Sequence, residues 1–267
     1  MEQPKNNLKI VADKKSARML LPNMLTLIGV CIGLTSIRFA LDERFELAII
    51  AIMFAALIDG LDGRIARLIK GTSKVGKELD SLTDMISFGV APAFIMYFWK
   101  LNTLGRFGWL LCLVFVVCVA LRLARFNINS NQEPSWRDNF FEGVPSPAGG
   151  ILVLTPLIVS LSGFDFFQLN YDIIVPIFFV TTSFLLISKF PSYSFKKIVI
   201  RRRTTIFLLF GIVLFFGLLL VYTFNVITIS AIVYLLLLPI SYVHYQKIKN
   251  KYERDKIQDE DDLEDVL

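Results

Sequence analysis

Histidine is nearly absent from this chain. Of 267 residues only His244 is one, and it stands at the end of the last apolar run beside a Lys-rich segment. Mechanisms that need two histidines, or one beside a nucleophile deep in the chain, are hard to build on that supply. Cysteine is scarce too. Cys31, Cys112 and Cys118 all lie in apolar runs without CxxC spacing, the pattern of small buried hydrophobes and not of a soft-metal site or a disulfide framework. Any metal must then be held by oxygen ligands. Charged residues make up only 19% of the chain. No internal repeat is visible, which weakens transporter folds built from inverted halves. No cleavable signal peptide is evident, because the first apolar run is long and follows about twenty polar-rich residues.

What the sequence has in abundance is apolar. Hydrophobic residues reach 55%, with 24 Phe, and the mean hydropathy is +0.60. Uncharged runs recur, the longer ones approaching the roughly 20 residues that a helix needs to cross a hydrocarbon core. The expected fold is an all-α polytopic membrane protein, which excludes soluble enzymes and nucleic-acid-binding domains. Eight spans are predicted, at about 20–41, 46–68, 79–99, 107–126, 145–163, 173–190, 204–223 and 226–245. Lys and Arg alternate between their connections, 24 on one side against Arg38, Arg44, Lys100 and Arg106 on the other. The positive-inside bias then places both termini in the cytoplasm. Residues 20–245 are expected to form the transmembrane domain. Residues 1–19 read either as an amphipathic helix lying on the bilayer or as a disordered basic leader. Residues 246–267, which switch from basic to acidic, read as a solvated, mobile tail.

An acid inside a membrane helix costs about 2.5–3.5 kcal/mol on insertion scales, so each one needs a reason. Glu46, Asp165 and Asp172 lie near span ends, where water reaches them. The acids around the second and third spans are different. Asp59 and Asp62 are spaced i,i+3, and Asp80 and Asp84 i,i+4, so each pair shares a helix face. The short connection between these spans predicts antiparallel packing that opposes the two faces at the cytoplasmic edge. Four carboxylates so gathered need cations to remain ionised. Oxygen-only ligation favours magnesium, manganese or calcium, and paired metals suit displacement at phosphorus. Gly60 and Gly63 lower the helix surface for a ligand, and Arg67 offers a planar fork to a phosphate. The competing reading is a buried ion-pair network in which Arg64 and Arg67 neutralise some of the acids. It leaves excess negative charge and gives the glycines no purpose.

At full spacing the segment reads Asp59-x2-Asp62-Gly63-x2-Ala66-Arg67-x8-Gly76-x3-Asp80-x3-Asp84. It resembles the signature of the CDP-alcohol phosphotransferase family, with all eight specified positions present across 26 residues. The resemblance implies that an alcohol attacks the β-phosphorus of a CDP-linked lipid and releases CMP. It implies two divalent cations, magnesium or manganese, held by Asp59, Asp62, Asp80 and Asp84, with Asp84 also the general base. It implies that Gly63, Ala66, Arg67, Ser73 and Gly76 meet the CDP moiety. Pro22-Asn23-Met24-Leu25-Thr26 is similar to the family's entry to the first span, making Asn23 and Thr26 further diphosphate or ribose contacts. A homodimer in the cytoplasmic (inner) membrane, with its site facing the cytoplasm, is implied as well.

Two further segments, Arg122-Leu123-Ala124-Arg125-Phe126-Asn127 and Phe141-Glu142-Gly143-Val144-Pro145-Ser146-Pro147-Ala148, resemble those of the membrane-integral phosphatidylserine synthases within that family. CDP-diacylglycerol and L-serine are then the expected substrates. Arg122 and Arg125, one turn apart, are expected to fork the serine carboxylate, with Asn127 and Ser146 completing the site. The alternative is that these arginines anchor a span end at the headgroups. Another acceptor alcohol (glycerol 3-phosphate or an inositol compound) is the nearest rival reading, and a cation transporter is a remote one.

Overall fold

The computed structural model describes residues 14–69, 71, 73–129, 140–163, 170–188, 190–193 and 202–264. The first hairpin joins α1 (Lys14–Leu41) to α2 (Phe45–Leu68). Lipid gives helices no hydrophobic reason to associate, so close contact of small residues has to hold them together. Ala48, Ala51 and Ala55, buried along one stripe of α2, supply that surface, and α1 is the helix that packs most extensively on α2.

The next column is continuous from Lys74 to Trp99 but changes pitch on the way. It comprises α3 (Lys74–Asp84), a π-helical turn (Met85–Val90) and α4 (Ala91–Trp99). Isolated π turns inside helices concentrate at functional sites, and this one begins directly after Asp84. The other elements press on it closely. A Cβ on Gly150 would lie 2.9 Å from the Phe88 carbonyl oxygen. After α5 (Arg106–Asn129) come α6 (Ser146–Leu161), α7 (Tyr171–Ile187), α8 (Arg202–Val221) and α9 (Thr223–Glu264). The core lies where α2, α4, α5, α6 and α7 meet. There Phe115 and Phe179 make an edge-to-face pair at 5.5 Å, beside the buried Ile52, Ile95 and Leu157.

Each of the eight predicted spans corresponds to one helical column. Four columns, Leu20–Leu41, Lys74–Trp99, Arg106–Ile128 and Thr223–Ile248, are long and apolar enough to cross a bilayer, and three shorter apolar helices accompany them. The chain is a multi-pass membrane protein. Contacts between connections show which of them share an end of the bundle. A two-stranded antiparallel ribbon pairs β1 (Phe140–Glu142), before α6, with β2 (Pro191–Tyr193), after α7. At the other end Lys100, before α5, forms a 3.0 Å ion pair with Asp172, at the start of α7.

The structure differs from the sequence reading in four places. The ribbon was not anticipated, because three-residue strands leave no periodicity to read. The third column starts at Lys74 instead of 79, since Ser73 caps it by accepting from the Gly76 amide. No break separates a leader from the first span, for α1 already runs from Lys14; residues 1–13 lie outside the described ones. The tail is helical to Glu264. Its Lys, Arg, Gln and Glu are good helix formers, and neither Gly nor Pro follows Pro239.

Candidate active site

The two carboxylate pairs meet as their spacing requires. Asp59, Asp62 and Asp80 each offer an oxygen within 4.8 Å of the others. Asp59 also lies in the electrostatic field of Asp84. Thr26 donates to Asp62 Oδ2 at 2.6 Å while also donating to the Pro22 carbonyl at 3.0 Å. That bond fixes one oxygen of Asp62 and leaves the other to the cluster. Neither Arg64 nor Arg67 is ion-paired to an acid among the described residues, so the network of internal salt bridges is not what holds the acids together.

Asp84 is oriented from the opposite side. Ser146, fully buried at the start of α6, donates to Asp84 Oδ2 at 2.9 Å. The buried Arg122 of α5 donates in turn to Ser146 Oγ, with its guanidinium over the Phe126 ring at 5.6 Å. The remaining oxygen, Asp84 Oδ1, is buried without a hydrogen-bond partner among the described residues. A carboxylate oxygen stripped of water and left without a donor is costly. Its position beside three more carboxylates fits a hard divalent cation, and the all-oxygen donor set fits the same. The trio can hold a metal ion, in keeping with a metal-dependent family.

Beside the cluster opens a cavity of about 560 Å³ among α1, α2 and α3, within the range of small-molecule sites. All seven residues expected to meet CDP line it: Asn23, Thr26, Gly63, Ala66, Arg67, Ser73 and Gly76. Their parts differ. Ser73 is the α3 cap, and Gly76 is where α1 and α3 approach, since a Cβ there would stand 2.9 Å from Asn23 Oδ1. Gly63 has open space where its Cβ would be, which leaves room for a ligand against the helix. Lys74 and Lys77 add to Arg67 a basic wall that sequence reasoning missed. Their signal was present, adjacent to Ser73 and Gly76, but they had been read only as topological charge.

The expected acceptor residues divide. Arg122 and Ser146 reach Asp84 as described. Arg125 instead donates to the Ile187 carbonyl at 2.7 Å, closing the end of α7. Asn127 donates to Ser81 Oγ at 2.9 Å, and its carbonyl accepts from Lys77 at 3.3 Å, which ties α5 to α3.

This carboxylate site, at one edge of a helical membrane bundle, defines the class: the chain belongs to the CDP-alcohol phosphatidyltransferase family, whose model matches residues 19–182, more than half its length. Among curated relatives it is similar to proteins named CDP-diacylglycerol–serine O-phosphatidyltransferase. One from Mycobacterium leprae is 43% identical over 176 residues, 64% of this chain and 57% of that protein. One from Helicobacter pylori is 37% identical over 179 residues, 67% and 74% of the two chains. One from Bacillus subtilis is 34% identical over 177 residues, covering 66% of this chain and 92% of that one. The match spans only about half the length of the mycobacterial relatives.

Proposed function

We propose that this protein transfers the phosphatidyl group of CDP-diacylglycerol to the hydroxyl of L-serine, giving phosphatidylserine and CMP. The observation that carries the reading is the placement of Asp84. Asp62 and Asp80 line the basic cavity on one side, and Asp84, one turn beyond Asp80 on the same helix, is held on the other by the buried Arg122–Ser146 pair. Asp59, Asp62, Asp80 and Asp84 would hold two divalent cations, magnesium or manganese, which when bound would neutralise charge and polarise the phosphoryl oxygens.

The chain's own residues do the rest. Arg67 and Lys74 hold the diphosphate in the cavity, while Asn23, Gly63, Ala66, Ser73 and Gly76 shape its wall and Thr26 steadies Asp62. Asp84, fixed through Oδ2, presents Oδ1 to the serine hydroxyl and takes its proton. The serine oxygen bonds to the β-phosphorus, the bond from that phosphorus to the bridging oxygen breaks, and CMP leaves with the electron pair. Arg122 has guanidinium donors beyond the one directed at Ser146 and meets the serine carboxylate. Ser146 lies beside it, while Arg125 and Asn127 tie α5 to the end of α7 and to α3. Residues 20–245 form the transferase domain. The Lys and Arg bias supports a site facing the cytoplasm, and the family resemblance implies the inner membrane and a homodimer.

The test is CMP release by purified protein in liposomes containing CDP-diacylglycerol and manganese or magnesium, with serine, glycerol 3-phosphate and inositol offered separately. Serine-dependent release that vanishes in Asp84→Asn is the expected result. Release with another alcohol alone would keep the chemistry and overturn the acceptor.

A further inference from the structure

The family match ends at residue 182, and α8 and α9 follow it. Helix α9 is anchored on α6 through Leu238 and Tyr234, which pack with the buried Val144 and Leu152. Helix α8 packs chiefly on α9 and leaves its other faces open. Because α8 stands away from α2 and α6, a second cavity of about 200 Å³ lies among these four helices. Met53 of α2, Ile151 of α6, Phe215 of α8 and Ala231 of α9 represent its four walls. It is larger than the ~150 Å³ of an apolar cavity known to accept benzene, giving room for roughly eight chain carbons.

From this arrangement we propose that the α8–α9 hairpin builds a binding site for one acyl chain of the lipid substrate. The inference rests on the transferase reading above. Its first ground is continuity with the carboxylates. Ala148, on the cavity wall, follows Ser146 by two residues on the same helix, and Ser146 bonds Asp84. Tyr234, on the opposite wall, lies in the electrostatic field of Arg122, so the polar mouth of the cavity is the acceptor side of the site. Its second ground is depth. Met53 precedes Asp59 by six residues, about 9 Å along α2 away from the acids. A phosphorus held at the carboxylates thus has its glycerol esters at the mouth and a chain descending between α6 and α9. Its third ground is lining. Apart from Tyr234 and Ser230 the walls are apolar, and Ser230 directs its hydroxyl to its own helix, to the Val226 carbonyl at 2.7 Å.

The test compares binding of long-chain and two-carbon (diacetyl) CDP-diacylglycerol to the detergent-solubilised full chain, wild type against Ser230→Trp and Ala231→Phe. Ser230 is exposed, so its variant leaves helix packing in place should Ala231→Phe fail to fold. Filling the cavity is expected to weaken the long-chain ligand by roughly tenfold, the worth of about two buried methylenes, and to leave the two-carbon ligand unchanged. Equal weakening of both ligands, or of neither, would overturn the proposal while the transferase reading stands; the second result is also what a resident bilayer lipid in the cavity would give. A wild-type protein that binds neither ligand would overturn the functional reading and this inference with it.

Discussion

The carboxylate cluster separates two regions that hold polar side chains at the same edge of the bundle by different means. On the nucleotide side, everything comes from α1, α2 and α3 and their short connection. The cavity is open, Arg67 and Lys74 on its wall are exposed, and its small residues include Gly63, Ala66 and Gly76. On the acceptor side, Arg122 and Ser146 come from helices separated by a ribbon, are buried, and are bonded to each other before any ligand arrives. An open basic wall suits a diphosphate that brings its own water and counter-ions. A buried guanidinium suits a small zwitterion that must be held in one pose, since its donors are worth most where water is excluded. Removing a residue should therefore act on affinity for the lipid nucleotide in the first region and on affinity for the acceptor in the second.

The largest effect is expected at the shared boundary. Asp84→Asn, or chelation of the divalent metal, should lower kcat for CMP release by about 10³-fold or more, and added manganese or magnesium should restore only the chelated wild type. Next, Arg122→Ala should raise KM for serine by roughly tenfold to a hundredfold, with a much smaller change for CDP-diacylglycerol, as expected for a buried charge-assisted bond. Equal changes in both constants would erase the distinction between the two sides. Arg67→Ala should do the converse. It should raise KM for CDP-diacylglycerol by about tenfold and leave that for serine in place, with the effect shrinking at high salt because the group is exposed. The smallest effect belongs to Arg125→Ala. Its bond to the Ile187 carbonyl is a helix-end tie, so a thermal melt should show a loss of about 1 kcal/mol with both KM values unchanged.

Legibility followed the same divide. Asp59, Asp62, Asp80 and Asp84 were readable because helical periodicity fixes which side chains share a face, and a short connection fixes which helices meet. The seven cavity residues were readable from a signature within 26 residues and its neighbour in α1. Arg125 and Asn127 were not. They share a helix with Arg122, and only the positions of α7 and α3 show that one closes a helix end and the other ties α5 to Ser81. Thr26 looked like a diphosphate contact, and its bond to Asp62 across 36 residues was invisible until α1 lay against α2. The π turn after Asp84 also escaped notice, because no local period marks it, although neighbouring helices pack closely on it.

By itself the sequence determined the membrane class, the helical columns and the gathering of acids from the second and third of them. Each of these depends on composition or on spacing along one helix. The tertiary structure alone decided which oxygen of Asp84 is bound and which is left bare, which of two neighbouring arginines faces the site, and that α8 stands off far enough to leave a cavity. Those outcomes depend on the rotation and distance of helices far apart in the chain, and no local period encodes them.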